Sequence, residues 1–259
     1  MVTGRGIGRA RTDRTWEIMA KLKDQSAWWR PRDRFLLGQF LQGKGLARAL
    51  MNDALSRVTV QGMVLDLGAG AHGSSSYHTL IRGLGASNFV SVDIERRREP
   101  NIVANFEASL PVRSCKADAV LAINLLEHLY NPIALLTEIH RVLRPGGTLH
   151  IVVPFLVSVH PDPKDFFRYA PDAIYAMLEE AGFRQDVEVV ALATGPFGAA
   201  YSQIGPMIPR ALQWLVGYTA IMLDKLVGYV VKKRQSALRL EYFPLAYYVR
   251  AVKAREDER

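Results

Sequence analysis

From residue 62 onward, short apolar runs alternate with stretches of helical spacing, and this alternation limits the fold more than any other feature. The strand-like runs are MVLDLGAG (63–70), NFVSVDIE (88–95), the start of ADAVLAINLLEHL (117–129), TLHIVVPF (148–155), RQDVEVVALAT (184–194) and LAYYVRAVKA (245–254). Between them, SYHTLIRGLG (76–85), NPIALLTEIHRVLRPGG (131–147) and APDAIYAMLEEAGF (170–183) read as helices. Pro132 sits near the start of the second helix; Pro171 and Asp172 open the third, and Gly182 follows its end. Strands alternating with helices of this length predict a parallel sheet covered on both faces.

The flanks are different. Residues 15–57 have few β-branched residues and recurrent apolar positions, which predicts helices broken at Pro31. Before them, GRGIGR imitates a glycine fingerprint, but no strand precedes it, so no nucleotide site is expected there. Charge is uneven: residues 1–60 carry +7, residues 61–200 carry −4 and residues 201–259 carry +5. Basic flanks around an acidic centre suit an anionic partner, or are solvated helix faces. A single cysteine, Cys115, excludes an internal disulfide framework and fits a reducing, cytoplasmic setting. No secretory signal pattern is visible at the N-terminus.

Gly68, Gly70 and Gly73 form a G-x-G-x-x-G between a strand and a predicted helix. Glycines there let a ligand approach the backbone. Asp93, 20 residues beyond Gly73, ends the next strand and suits a ribose diol. By themselves these features fit any adenosine-bearing ligand, NAD and FAD included. Asp66, two residues before Gly68, narrows the choice: a carboxylate there repels a pyrophosphate and suits a cationic amine.

With NLLEHL (124–129) and LRPGG (143–147) added, the order VLDLGAG, SVDIE, NFEASLPVRSCKADAVLAINLLEHL and LRPGGTLHIVVP resembles the class I S-adenosylmethionine-dependent methyltransferases of the small-molecule, type 11-like group. The resemblance covers residues 62–155 and the helix to Phe183. It implies an α/β, Rossmann-like, doubly wound and mostly parallel seven-stranded sheet. A basic helical extension (1–60) would precede a methyltransferase domain (61–259), with an apolar helical insertion at about 200–241 before the last strand. It implies S-adenosylmethionine as cofactor. Gly68 and Gly70 would pass its methionine part, with Asp66 near the amino group. Asp93 would hold the ribose, Ile94 would pack on the adenine, and Phe106 would flank the ring. Asn105 stands where the family usually has Asp, and its oxygen still accepts from the adenine amine. Asn124 would border the sulfonium.

The segment HPDPKDFFRY (160–169) follows the fifth strand run, where ligands of open parallel sheets meet the chain. His160 is the candidate general base by position and intrinsic pKa, against a role only in shaping the turn. Asp165 and Arg168 are spaced for an ion pair, or Arg168 holds an anionic substrate group. Phe166 and Tyr169 are expected to line an acceptor pocket or staple the loop. Glu127 and His128 are too few for a metal site, and no metal is expected.

Residues 207–231 are apolar and long enough to span a bilayer, but Asp224 and Lys225 interrupt them. An amphipathic helix fits better, followed by Lys-Lys-Arg at 232–234. The expected role is a lid over the acceptor that touches a membrane surface; a dimer surface is the alternative. The expectation is therefore O-methylation of a small-molecule, glycan or lipid-linked acceptor. A nucleic acid partner is not expected, although the basic flanks keep an RNA or protein methyltransferase as an alternative, beside a cofactor-binding protein without catalysis.

Overall fold

The computed structural model describes residues 30–69, 75–233 and 242–255. The segment GRGIGR, Gly70, Gly73 and Arg234 lie outside the described residues.

Two helices, α1 (Asp33–Leu41) and α2 (Leu46–Leu55), come first. The chain then runs through β1 (Met63–Leu67), β2 (Asn88–Asp93), β3 (Ile102–Val103), β4 (Ala117–Ile123), α3 (Pro132–Val142), β5 (Leu143–Pro154), α4 (Pro171–Glu180) and β6 (Val187–Leu192). It closes with α5 (Pro196–Ile204), α6 (Arg210–Lys233) and β7 (Ala246–Val252). The seven strands form one sheet in the order β3-β2-β1-β4-β5-β7-β6. The pairs among β1 to β5 are parallel, and β7 inserts antiparallel between β5 and β6. This is a Rossmann-like, mostly parallel seven-stranded sheet: the alternation predicts its parallel strands, and the family resemblance implies the rest.

Successive strand residues point to opposite faces, so each strand feeds two cores. Val64, Leu121, Val152 and Val190 face α1, α2, α5 and α6. Leu65, Val120, Ile151 and Val249 face α3 and α4, meeting Leu135, Ile139 and Leu178. Because α2 contributes Ala49, Leu50 and Ala54 to the first core, the helices before β1 cover the sheet directly.

Three local expectations need correction. Residues 76–85 are turns rather than a helix. Tyr77, Ile81 and Leu84 are buried at helical spacing, but the segment bends to bridge residues 58–60: Arg82 N donates to Val58 O and Val60 N to Arg82 O, each at 2.9 Å. Gly83, at φ 80°, lets the backbone pass so close to Val60 O that a Cβ would lie 2.2 Å from it. The run at 15–57, as far as it is described, breaks a second time at Gln42–Gly45, where Gly43 takes φ 74°. Finally, α3 stops at Val142 and LRPGG already belongs to β5. The buried Lys253 amine ends that helix by donating to His140 O and Leu143 O, both at 2.7 Å.

The long helix α6 reverses the usual amphipathic arrangement. Its polar and small stripe faces the protein: Gly217 and Asp224 are buried, while Leu212, Trp214, Leu215, Leu226 and Tyr229 are exposed. Asp224 accepts from Phe197 N and Gly198 N, both at 2.8 Å, and so caps α5, whose own N-cap is Gly195. Among the described residues no helix is long and apolar enough to cross a membrane.

Candidate active site

Two cavities open at the carboxyl ends of the parallel strands and meet at Asn124. Ligands in sheets of this kind bind at that edge, where the strand order reverses between β1 and β4.

The first cavity, about 390 Å³, is lined by Gly68, Asp93, Ile94, Asn105, Phe106 and Asn124, among others. Six expected cofactor residues thus stand around one space. Gly68, at φ 80°, turns the chain out of β1, and its N–H is held by Val92 O at 2.8 Å. Asp93 accepts from Glu95 N through Oδ1 at 2.8 Å, while its Oδ2 is buried without a hydrogen bond. That orphan oxygen fits a ribose hydroxyl. Arg98 lies 3.6 Å from it and extends to Asp162, at 2.7 Å, so the β2–β3 connection is tied to the loop after β5. Ile94 exposes its side chain to the cavity, and Phe106 is buried against the opposite wall. Asn105 Oδ1 already accepts from Glu107 N at 3.0 Å, leaving one lone-pair direction for a ligand amine. These groups fit the adenosine part of S-adenosylmethionine.

Asp66 is not among the residues that line this cavity. It is fully buried, and its carboxylate accepts from Tyr77 OH at 3.0 Å and lies 2.7 Å from His78 Nε2. Burial and the adjacent carboxylate push the Tyr77 phenol well above its ordinary pKa. Asp66 therefore anchors the 75–83 turn through Tyr77 and His78. Tyr77 and His78 were not singled out from sequence because a helical reading of their segment separates them from Asp66.

The second cavity, about 420 Å³, is lined mainly by apolar groups: Leu46, Met51, Val152, Pro154, Val157 and Leu245. Arg48, Asn124, His160, Tyr201 and Gln213 are among its polar lining. Its walls come from α2, the end of β5, α5 and the residues around α6, so the insertion and the N-terminal helices both enclose it. Asn124 separates the two cavities in a left-handed conformation, φ 51°, which Asn tolerates better than most residues. Its amide also approaches Met51 Sδ, at 3.7 Å.

Of the residues in the 160–169 loop, only His160 faces the second cavity; Phe166 lines the first, edge-on to Tyr130. Asp165, Arg168 and Tyr169 line neither cavity, and Asp165 and Arg168 form the ion pair that their spacing allows. Arg168 forms a fork to both Asp165 oxygens, at 2.5 and 2.7 Å, and also donates to Ser158 O and Phe167 O. The same carboxylate accepts from His160 N at 2.9 Å, so its pKa is held far below the ordinary range, chiefly by Arg168. Tyr169 OH donates to Leu126 O from a buried position. These three residues shape the loop that presents His160.

Sequence spacing separates His160 from Glu127 and His128, yet the fold joins them. His160 Nε2 is 3.7 Å from Glu127 Oε1, and His128 Nε2 is 3.8 Å from it. The Glu127 carboxylate, helped by Ser158 O and Asp165, raises the His160 pKa above its ordinary value, against the opposing effect of burial. An imidazole of that kind, beside an apolar cavity, can handle the proton of an acceptor.

Residues 65–151 match the family described as a methyltransferase domain. No curated protein matches the chain. A S-adenosylmethionine-dependent methyltransferase from Archaeoglobus fulgidus aligns over 85% of this chain and 99% of its own, at 19% identity and TM-score 0.51. A chain of the Haloferax volcanii complex between the Trm112 methyltransferase activator and a methyltransferase aligns over 91% and 98%, at 18% identity and TM-score 0.52. Phosphoethanolamine N-methyltransferase 2 of Haemonchus contortus, solved with S-adenosyl-L-methionine, aligns over 81% of this chain at 15% identity and TM-score 0.47. The chain spans about half of that protein, 52% of its length. At these identities the likeness is one of fold.

Proposed function

We propose that the chain is a class I S-adenosylmethionine-dependent methyltransferase that methylates an oxygen of a largely apolar small-molecule or lipid-linked acceptor held in the second cavity. The observation that supports this reading is the meeting of the two cavities at Asn124, one fitted to adenosine and the other apolar. Bound S-adenosylmethionine supplies an already activated methyl group. The protein contributes alignment, exclusion of water and management of one proton. Transfer forms the acceptor oxygen–methyl bond and breaks the methyl–sulfur bond, whose electron pair stays on sulfur; the acceptor's proton must leave. His160 is the cavity group that activates the acceptor for that loss, while Arg48 suits a carboxylate or phosphate on the same molecule.

The outward apolar face of α6 supports a lid that touches a membrane surface, from which a lipid-linked acceptor would enter. Lys232 and Lys233 continue that helix with positive charge in the sequence. Incubation with methyl-labelled S-adenosylmethionine and cell fractions tests the whole reading. Label is expected in the lipid or small-molecule fraction. Label in RNA or protein instead would favour the reading that the basic flanks suggest, and bound cofactor with no transfer to any fraction would favour a non-catalytic protein.

A further inference from the structure

Glu127 is fully buried, and among the described residues neither of its carboxylate oxygens has a hydrogen bond. A carboxylate sealed from water in this way keeps its charge only beside a cation. Arg168 lies near enough for its charge to act on Glu127, but its terminal nitrogens bond to Asp165 and to two backbone carbonyls rather than to Glu127. What does converge on Glu127 is a pair of imidazoles. His128 Nδ1 lies 2.5 Å from Lys164 O, and His160 Nδ1 lies 3.1 Å from Ser158 O. A carbonyl only accepts, so in each ring Nδ1 carries the hydrogen, and in its neutral form the ring turns a lone pair outward at Nε2. Both Nε2 atoms face Glu127 Oε1, at 3.8 and 3.7 Å. The donor atoms of the three residues all lie within 4.8 Å of one another.

We propose that Glu127, His128 and His160 form a binding site for one divalent transition-metal cation at the junction of the two cavities. Two imidazoles and a carboxylate, with open positions beside them, suit zinc, iron(II), manganese or cobalt rather than magnesium or calcium. Donors bound at about 2.1 Å in a tetrahedral arrangement sit roughly 3.4 Å apart, so the carboxylate–imidazole spacings need contract only by a few tenths of an ångström. The Nδ1–H bonds to backbone carbonyls are the outer contacts that fix metal-ligating histidines. His128 lines the first cavity and His160 the second, so the open positions border the place where the acceptor meets the methyl group. An acceptor hydroxyl bound there is acidified and gives its proton to solvent, and His160 serves as a ligand in that event. This use of the site rests on the methyltransferase reading; the binding itself does not.

Cobalt(II) is the probe. The chelator-treated full chain is titrated and followed by visible ligand-field absorption, with S-adenosylmethionine binding measured separately by calorimetry. One equivalent of cobalt is expected, bound more than about tenfold more weakly by Glu127→Gln and by His160→Ala. The His160 variant, whose side chain is half-exposed, provides the comparison should Glu127→Gln fold poorly. Absence of uptake, or uptake unchanged in both variants, overturns the site. Cofactor binding without metal uptake overturns the metal site and leaves the methyltransferase reading standing. Metal uptake without cofactor binding does the reverse.

Discussion

Asp93 uses its two oxygens differently: one holds the turn at Glu95, and the other is buried without a hydrogen bond in the first cavity. The strand-end position of Asp93 was legible from sequence because β2 is short, apolar and bounded by polar residues. The burial of Asp66 was not, because it depends on a turn that helical spacing at 77, 81 and 84 disguises. The Glu127–His128–His160 cluster was equally hidden: a contact across more than 30 residues leaves no periodic trace. At this scale His160→Ala is expected to lower turnover by about tenfold or more while leaving S-adenosylmethionine affinity nearly unchanged, as kcat and calorimetry would register. Unchanged turnover would remove His160 from the chemistry. Glu138 gives a stability prediction. Arg141 first, then Ser109 Oγ and Leu110 N, lower its pKa from 4.5 to about 2. A depressed carboxyl stabilises the fold fully above pH 4.5, and this contribution is lost as pH falls toward 2. Glu138→Gln should therefore cost about 1–2 kcal/mol near neutrality, and the two stability curves should converge in acid. A constant gap down to pH 2 would contradict this assignment.

Helix α6 shows how an element can invert its expected orientation. Its apolar content and the interruption at Asp224 were plain in the sequence, but an amphipathic reading leaves open which face meets the protein. The structure answers through close contacts. A Cβ on Gly217 would lie 2.8 Å from the Tyr201 ring, whose hydroxyl is fixed on Gln213 O at 2.9 Å. Gln213 also donates to Gly205 O and Ile208 O, and Asp224 caps α5. The polar stripe is therefore used for docking. Asp224→Ala leaves two amides at the start of α5 without their acceptor and should cost about 1–3 kcal/mol, read as a fall in the denaturation midpoint at constant slope. Because α5 supplies Tyr201 and Ser202 to the second cavity, acceptor binding should weaken more than cofactor binding. An unchanged midpoint would show that the cap contributes little.

Over the whole molecule, the parallel sheet and the edge that carries both cavities were implied by the alternation of strands and helices together with the glycine turn, whereas the strand order was not. The enclosure of the second cavity was less legible, since it joins α2, from before the sheet, to α5, from the insertion after β6. The outward apolar face of α6 belongs to this scale as well. Flotation with anionic vesicles is expected, resistant to salt, and lost when Leu215 and Leu226 are both changed to Glu. Wild-type protein that stays entirely with the soluble fraction would rule out the membrane-facing lid. The account's central claim is narrower: the first cavity takes S-adenosylmethionine and Asp93 holds its ribose. Calorimetric titration of S-adenosylmethionine into the wild-type chain and into Asp93→Ala tests it most directly. One equivalent bound by the wild type, at least about tenfold more weakly by the variant, is the predicted result, as expected for loss of a charged hydrogen-bonding group. No binding to the wild type, or equal affinity in both, would contradict it.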